Sequence, residues 1–289
     1  MSLLKIIILA IVQGLAELLP VSSSAHVVVA EKLLGLDPSS PSMTLLLVML
    51  HTGTMFAVIV YFWPQWRRTY FQSGAAFKKI AGLVIVATVF TAVIGEIIIK
   101  VIEKTAFRGT AHAEIEDLFS HLEFIAPALA AAGVLILIAG IFERRNPMLA
   151  LTEANDIQMK RAGVIGAVQG LCLPFRGFSR SGATISTAML LGVAKSRAEA
   201  FSFALAVVLT PPVVAREGLR LVHSGQADPA VNLSSVAWMS VFGAVIAFIA
   251  GLLALKWLSR WLEGGRWYLF GVYCLVAAVA VFALHSAGY

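Results

Sequence analysis

A tetrapeptide that occurs twice, each time just ahead of a proline, constrains this chain more than any other feature. Val12-Gln13-Gly14-Leu15 returns as Val168-Gln169-Gly170-Leu171. Leu19-Pro20 follows the first copy and Leu173-Pro174 the second, and each runs into a serine cluster, Ser22-Ser23-Ser24 or Ser179-Arg180-Ser181. Proline lacks an N–H and crowds the preceding turn, so an apolar helix is disturbed at both points. In a membrane protein, helices broken at matching positions of two halves point to a binding site between those halves.

Composition supplies the membrane. Of 289 residues, 59% are hydrophobic and 13% charged, against about 25% charged in a soluble domain. Six stretches, roughly 42–62, 79–101, 123–142, 197–222, 234–258 and 267–286, can cross a hydrocarbon core about 30 Å thick. The apolar regions 3–34 and 162–192 are interrupted near their middles, and each arm is too short to span. They read as helix–break–helix hairpins that enter the membrane and return on the same side, with their bare backbone covered by protein or a wet cavity. The expected fold is an all-α polytopic membrane protein, one membrane domain over 1–289. Residues 1–142 form the first repeat and 162–289 an inverted second repeat, each with one re-entrant helical hairpin and three transmembrane helices.

Loop charges orient the chain. Arg67, Arg68 and Lys78 lie in loop 63–78, Arg144, Arg145, Lys160 and Arg161 in loop 143–161, and Lys256, Arg260 and Arg266 in loop 256–266. Loop 223–233 has no Lys or Arg, and loop 102–122 sets Lys104 and Arg108 beside Glu114, Glu116 and Asp117. The positive-inside rule puts the basic set in the cytoplasm, so both termini lie outside. Three spans per half then invert the second copy, and the hairpin tips meet near the midplane. The net charge of +6 is spread over short loops and forms no single patch, which excludes nucleic acid as a partner. Cys172 and Cys274 lie in apolar segments and read as buried thiols. Lys5 and the apolar run after it resemble a signal peptide, but Gln13, Glu17 and Pro20 in and after that run favour mature protein.

The two tips are chemically different. Gln13 and Glu17 share one helix face. A carboxylate in the bilayer costs roughly 2.5–3.5 kcal/mol, so Glu17 needs a metal or an arginine. Ser22, Ser23, Ser24 and His26 follow. The second tip is Arg176-Gly177-Phe178-Ser179-Arg180-Ser181-Gly182-Ala183-Thr184. Gly177 and Gly182 allow close backbone approach. Ser179 or Ser181 can cap the next helix, whose N-terminus favours an anion, and Arg180 adds a fork that matches phosphate oxygens. An acid, hydroxyls and an imidazole facing an anion cradle are equipment for phosphoryl transfer. Plainer readings exist: serines that pack helices, a Glu17–Arg180 pair that merely joins the halves, a core histidine at 26, and a packed polar patch at His51-Thr52-Gly53-Thr54.

At these residues the chain resembles the undecaprenyl-diphosphatase family of bacitracin-resistance phosphatases. The likeness is carried by Gln13-Gly14-Leu15-Ala16-Glu17, by Pro20-Val21-Ser22-Ser23-Ser24-Ala25-His26 and by the second tip, and it runs on through His51-Thr52-Gly53-Thr54 and Phe201-Ser202-Phe203. Arg176 stands where the family usually has proline, Ala25 where glycine is common, and Gln13 leaves one carboxylate instead of two. The resemblance implies removal of the terminal phosphate from undecaprenyl diphosphate, a polyprenyl diphosphate lipid, to recycle the carrier for peptidoglycan synthesis. It further implies a bacterial plasma-membrane location, a site open to the outer face, and a divalent metal ion, Mg or Ca, near Gln13 and Glu17. A homo-oligomer is left open. In this reading Ser22, Ser24, Gly177, Ser179, Arg180, Ser181, Gly182 and Thr184 bind phosphate, while Glu17, Ser23, His26 and Arg180 are catalytic. Ser23 is the first choice of nucleophile, with His26 as its base or as the nucleophile itself, and metal-activated water as the alternative. The rival class is a lipid-phosphate flippase or other secondary transporter using the same cradle.

Overall fold

The computed structural model describes residues 2–36, 41–106, 122–146, 156–227, 233–262 and 265–288, and among these the ordered elements are helices, with no strand. Ten are described: α1 (Leu3–Leu18), α2 (Ser23–Leu33), α3 (Pro41–Thr69), α4 (Gly74–Ala106), α5 (Leu122–Arg145), α6 (Met159–Leu171), α7 (Arg180–Leu190), α8 (Lys195–Ala227), α9 (Leu233–Leu262) and α10 (Tyr268–Ser286). Six of them, α3, α4, α5, α8, α9 and α10, are long and apolar enough to cross a membrane. The chain is a multi-pass membrane protein. Short helices flank both breaks, α1 and α2 around the first and α6 and α7 around the second.

The long helices outrun the apolar segments expected from sequence. α3 continues through Pro64 to Thr69 and α4 begins at Gly74, so most of the loop expected over 63–78 is helix. Bilayer thickness limits only the apolar part of a helix; its polar ends extend into the headgroup layer and water without losing hydrogen bonds. Beyond Ala106 the acidic loop 102–122 falls outside the described residues as far as 121, as do 147–155 of the basic loop 143–161.

Packing follows small residues. A Cβ on Gly166 of α6 would lie 2.1 Å from the Ala87 carbonyl oxygen of α4, and one on Gly14 of α1 would lie 2.8 Å from the Ala247 carbonyl oxygen of α9. Each is a backbone-to-backbone approach of the kind that drives helix association in lipid. α1 thus lies on α9 as α6 lies on α4, while α5 lies along α10 and α3 along α9 and α8. The reverse side of α4 carries Ile85, Val89, Val93, Ile97 and Val101 at four-residue spacing, all exposed. An apolar stripe of that length, facing away from the core, is a lipid-facing surface.

Both helix pairs close at their open ends. Lys5 Nζ donates to the Leu34 carbonyl at 2.6 Å, tying the start of α1 to the end of α2. Asp156, just before α6, receives Arg197 Nη1 at 3.0 Å from the start of α8, just after α7. The first closure lies toward Met43 and Met239, where α3 and α9 begin. The second lies toward Tyr70 and Lys79, where α3 has ended and α4 begins.

Candidate active site

Local chemistry makes the first break. Pro20 follows the last turn of α1, and Leu19 is extended, at φ −88° and ψ 148°. Val21 N–H reaches back to the Leu19 carbonyl at 2.8 Å, and Ser22 then turns left-handed at φ 66°. A non-glycine residue there costs on the order of 1–3 kcal/mol. Two contacts hold it: the Ser22 hydroxyl accepts from Ala25 N–H at 3.4 Å as the cap of α2, and its carbonyl meets His26 Nδ1 at 2.7 Å. The turn throws Ser23 back toward α1.

The second break turns at Gly177, whose φ of +105° and approach to the Ile125 carbonyl, 2.5 Å from where a Cβ would sit, exclude a side chain. Ser179 caps α7, accepting from Gly182 N–H at 3.1 Å. The Thr184 hydroxyl donates to the Arg180 carbonyl at 2.8 Å and so accepts from Ser202, 2.6 Å away in the core.

The breaks touch one another. Gly177 N–H donates to Ser24 Oγ at 3.3 Å, and Ser181 Oγ donates to the Leu19 carbonyl at 3.5 Å. Glu17 stands at the junction. Its Oε1 receives Arg180 Nη2 at 2.7 Å; its Oε2 receives the Ser23 hydroxyl at 2.5 Å and Gln13 Nε2 at 3.2 Å. The Glu17 side chain is only 14% exposed and that of Arg180 24%. Among the described residues, Arg180 Nη1 and Gln13 Oε1 find no hydrogen-bond partner. Such atoms cost about 1–3 kcal/mol each when left unsatisfied.

The structure thus gathers Gln13, Glu17, Ser23, Ser24, Gly177, Arg180 and Ser181 at one junction, with Ser22 and Ser179 as caps at its edges and Gly182 and Thr184 on the α7 side. His26 faces elsewhere. Since Ser22 offers a carbonyl, His26 Nδ1 carries the proton, and Nε2 of the neutral ring accepts from the Tyr273 hydroxyl at 2.7 Å. Tyr273 also stacks on the ring at 5.7 Å. The histidine that does approach Glu17 is His51 of α3. Its Nδ1 donates to the Leu47 carbonyl at 2.8 Å, leaving Nε2 turned to Glu17 Oε2 at 3.5 Å. Sequence reasoning weighed His51 as a packed patch; its place in the middle of a span was the signal, because ionisable groups there face partners or pathways. Among the described residues no three His, Cys, Asp or Glu side chains group to hold a metal. Cys172 and Cys274 are both free thiols.

Comparison with known proteins bears on the same residues. The sequence pattern of the family described as bacitracin resistance protein BacA matches residues 6–280. A protein of Acinetobacter baylyi named undecaprenyl-diphosphatase 2 is 55% identical over 287 residues, 98% of each chain. Proteins named undecaprenyl-diphosphatase from Gluconacetobacter diazotrophicus and Halothermothrix orenii are 32% and 29% identical, again over 98% of each chain.

Proposed function

The chain belongs to the bacitracin resistance protein BacA family, and from that premise we propose that it is a membrane phosphatase acting on undecaprenyl diphosphate. It releases inorganic phosphate and undecaprenyl phosphate, recycles the lipid carrier for peptidoglycan synthesis and thereby confers bacitracin resistance. The observation that carries this reading is Arg180 Nη1, a buried guanidinium donor without a partner, beside a carboxylate that already holds a hydroxyl.

The diphosphate head lies between the two breaks, with its terminal phosphate on Arg180. Ser23 Oγ attacks the terminal phosphorus while its proton passes to Glu17 Oε2. The bond from that phosphorus to the bridging oxygen breaks, and undecaprenyl phosphate leaves. Water then attacks that phosphorus, its bond to Ser23 Oγ breaks, Glu17 returns the proton to Ser23 Oγ, and inorganic phosphate leaves with the water's oxygen and hydrogens. Arg180 keeps one nitrogen on Glu17 and spends the other on the phosphoryl oxygens, where charge builds in the transition state. His51 Nε2 offers the proton a second acceptor. His26 holds the turn that aims Ser23 instead of acting as its base.

A divalent ion fits this donor set only in company with substrate. Glu17 gives one carboxylate and Gln13 Oε1 one unpartnered amide oxygen, and magnesium sites of this kind are completed by phosphate oxygens. Such an ion would neutralise the diphosphate and polarise its phosphoryl oxygen.

The halves form an inverted repeat with re-entrant hairpins. In support, α1–α2 closes at one end of α3 and α6–α7 at the other, and the breaks meet between them. With the basic loops in the cytoplasm, the first hairpin enters from outside, and the site opens to that face.

The test is phosphate release from undecaprenyl diphosphate by the purified protein in detergent, with and without chelator, beside Arg180→Ala. Release that needs the ion and is lost in the variant supports the reading. Folded protein that binds the lipid and releases nothing overturns it in favour of a carrier.

A further inference from the structure

One carboxylate stands outside the junction yet inside the protein. Glu31 of α2 is fully buried, and among the described residues neither of its carboxylate oxygens accepts a hydrogen bond. A charge shut from water in this way persists only opposite a compensating charge. Ser24, Val28 and Glu31 follow one another at steps of four and three residues, so they lie on one face of α2. That face meets the second break at Ser24, which accepts the Gly177 N–H at 3.3 Å. The residue before Gly177 is Arg176, and its positive charge acts on Glu31. The first hairpin thus turns two carboxylates toward arginines of the second break, Glu17 toward Arg180 and Glu31 toward Arg176.

Arg176 occupies a position with its own demands. Phe178 N–H donates to the Phe175 carbonyl at 3.1 Å, closing a turn with Arg176 and Gly177 at its centre. The φ of +105° at Gly177 falls where the third residue of a type II turn lies. Proline suits the second position of such a turn, because its ring presets φ there. Arginine lacks that ring, and a buried countercharge can hold it instead. The turn matters to the junction: Gly177 rests on Ser24, Ser179 caps α7, and Arg180 follows the cap and meets Glu17. We propose that Glu31 is a positioning residue, which through the charge on Arg176 holds the turn from Phe175 to Phe178 and thereby sets Arg180 on Glu17. The effect on catalysis rests on the phosphatase reading; the hold on the turn does not.

The experiment measures the thermal midpoint and phosphate release from undecaprenyl diphosphate for the full-length protein in detergent. Glu31→Gln keeps the shape of the carboxyl and removes its charge; it should lower the midpoint and reduce kcat about tenfold. Arg176→Ala should act alike on both. Glu31→Gln combined with Arg176→Ala should lose no more than about twofold beyond either alone, because both break one link. Glu31→Gln combined with Arg176→Pro should recover to within about threefold of wild type, since the ring then presets the turn. Rescue by an uncharged residue separates a hold on the turn from a phosphate contact made by Arg176 itself. Wild-type midpoint and turnover in Glu31→Gln, additive losses in the alanine pair, or no recovery with proline overturns the proposal. If Arg176→Ala does not fold, Glu31→Gln against its proline-bearing double variant decides alone. A wild type that releases no phosphate, with midpoints that still show the coupling and the rescue, overturns the phosphatase reading and supports the hold on the turn.

Discussion

Arg180 Nη2 and Glu17 Oε1 meet at 2.7 Å across 163 residues of chain, and the pair joins two helix breaks that would otherwise be isolated defects in an apolar bundle. A buried pair of this kind is weak evidence of stability by itself, because desolvation offsets much of its attraction. Its value here lies in the atoms left over, Arg180 Nη1 on one side and the hydroxyl-bearing Oε2 on the other.

Arg180→Lys should therefore fail to restore what Arg180→Ala loses. A lysine can hold Glu17 or the phosphate, but it is a point charge without a second, differently directed fork. Phosphate release should fall by roughly 10²–10³-fold in both variants, in line with the loss of an oxyanion donor. Near-normal turnover by the lysine variant would show that charge alone suffices.

Ser23 and His26 should separate. Ser23→Ala removes the atom that attacks in the proposed mechanism and should lower kcat by at least about 10³-fold. His26→Gln should lose about tenfold or less, because the ring holds Ser22 and Tyr273 and does not touch the reacting atoms. Tyr273→Phe should move activity in the same direction as His26→Gln, and the double variant should lose less than the sum of the two in free-energy terms. A Ser23→Ala protein that keeps its rate would transfer attack to water.

His51→Asn should depress kcat by about 10–100-fold with little change in KM, as expected when a proton acceptor behind the base is removed. The comparison is steady-state kinetics with Thr52→Val, a neighbour whose hydroxyl donates to the Val48 carbonyl. Equal losses in the two variants would reduce His51 to packing.

The Asp156 clasp should fail in acid. Partial burial raises its carboxyl, but Lys79 and then Arg197 outweigh this and hold it below the usual carboxylate range. A depressed carboxylate contributes its stability above its unfolded pKa and loses it as pH falls through the folded value. The thermal midpoint of Asp156→Asn should lie slightly below wild type at pH 7, and the two should converge as pH falls below about 4. Because Asp156 is about half exposed, the gap at neutral pH corresponds to about 1 kcal/mol or less.

Much of this was legible in the chain because the strongest signals were local. The doubled Val-Gln-Gly-Leu and its trailing proline located both breaks, and the spans followed from hydropathy. The pairing of Arg180 with Glu17 was foreseeable, since an intramembrane carboxylate needs a cation. His51 was harder: a histidine in mid-span looks the same whether it packs or faces a base, and only the tertiary register of α3 against α1 decides. The direction of His26 was illegible for a related reason. Its partner Tyr273 lies 247 positions away, on the last helix. Hydropathy does not reveal the polar ends of α3 and α4, because it marks where lipid ends, while helix continues as long as its own hydrogen bonds do.

The mutual capping of the breaks sets a schedule for making the protein. Gly177 N–H rests on Ser24, and the Leu19 carbonyl receives Ser181. Each break thus supplies groups that satisfy the interrupted backbone of the other. Translation delivers the first half alone. Until α7 arrives, the turn at Ser22 is an unfinished joint, open to a quality-control protease. Expressed by itself, residues 1–146 should be short-lived, and co-expression with 156–289 should rescue it. Assembly of the halves also completes the junction, because the contacts between the breaks come with Arg180 on Glu17, beside Ser23.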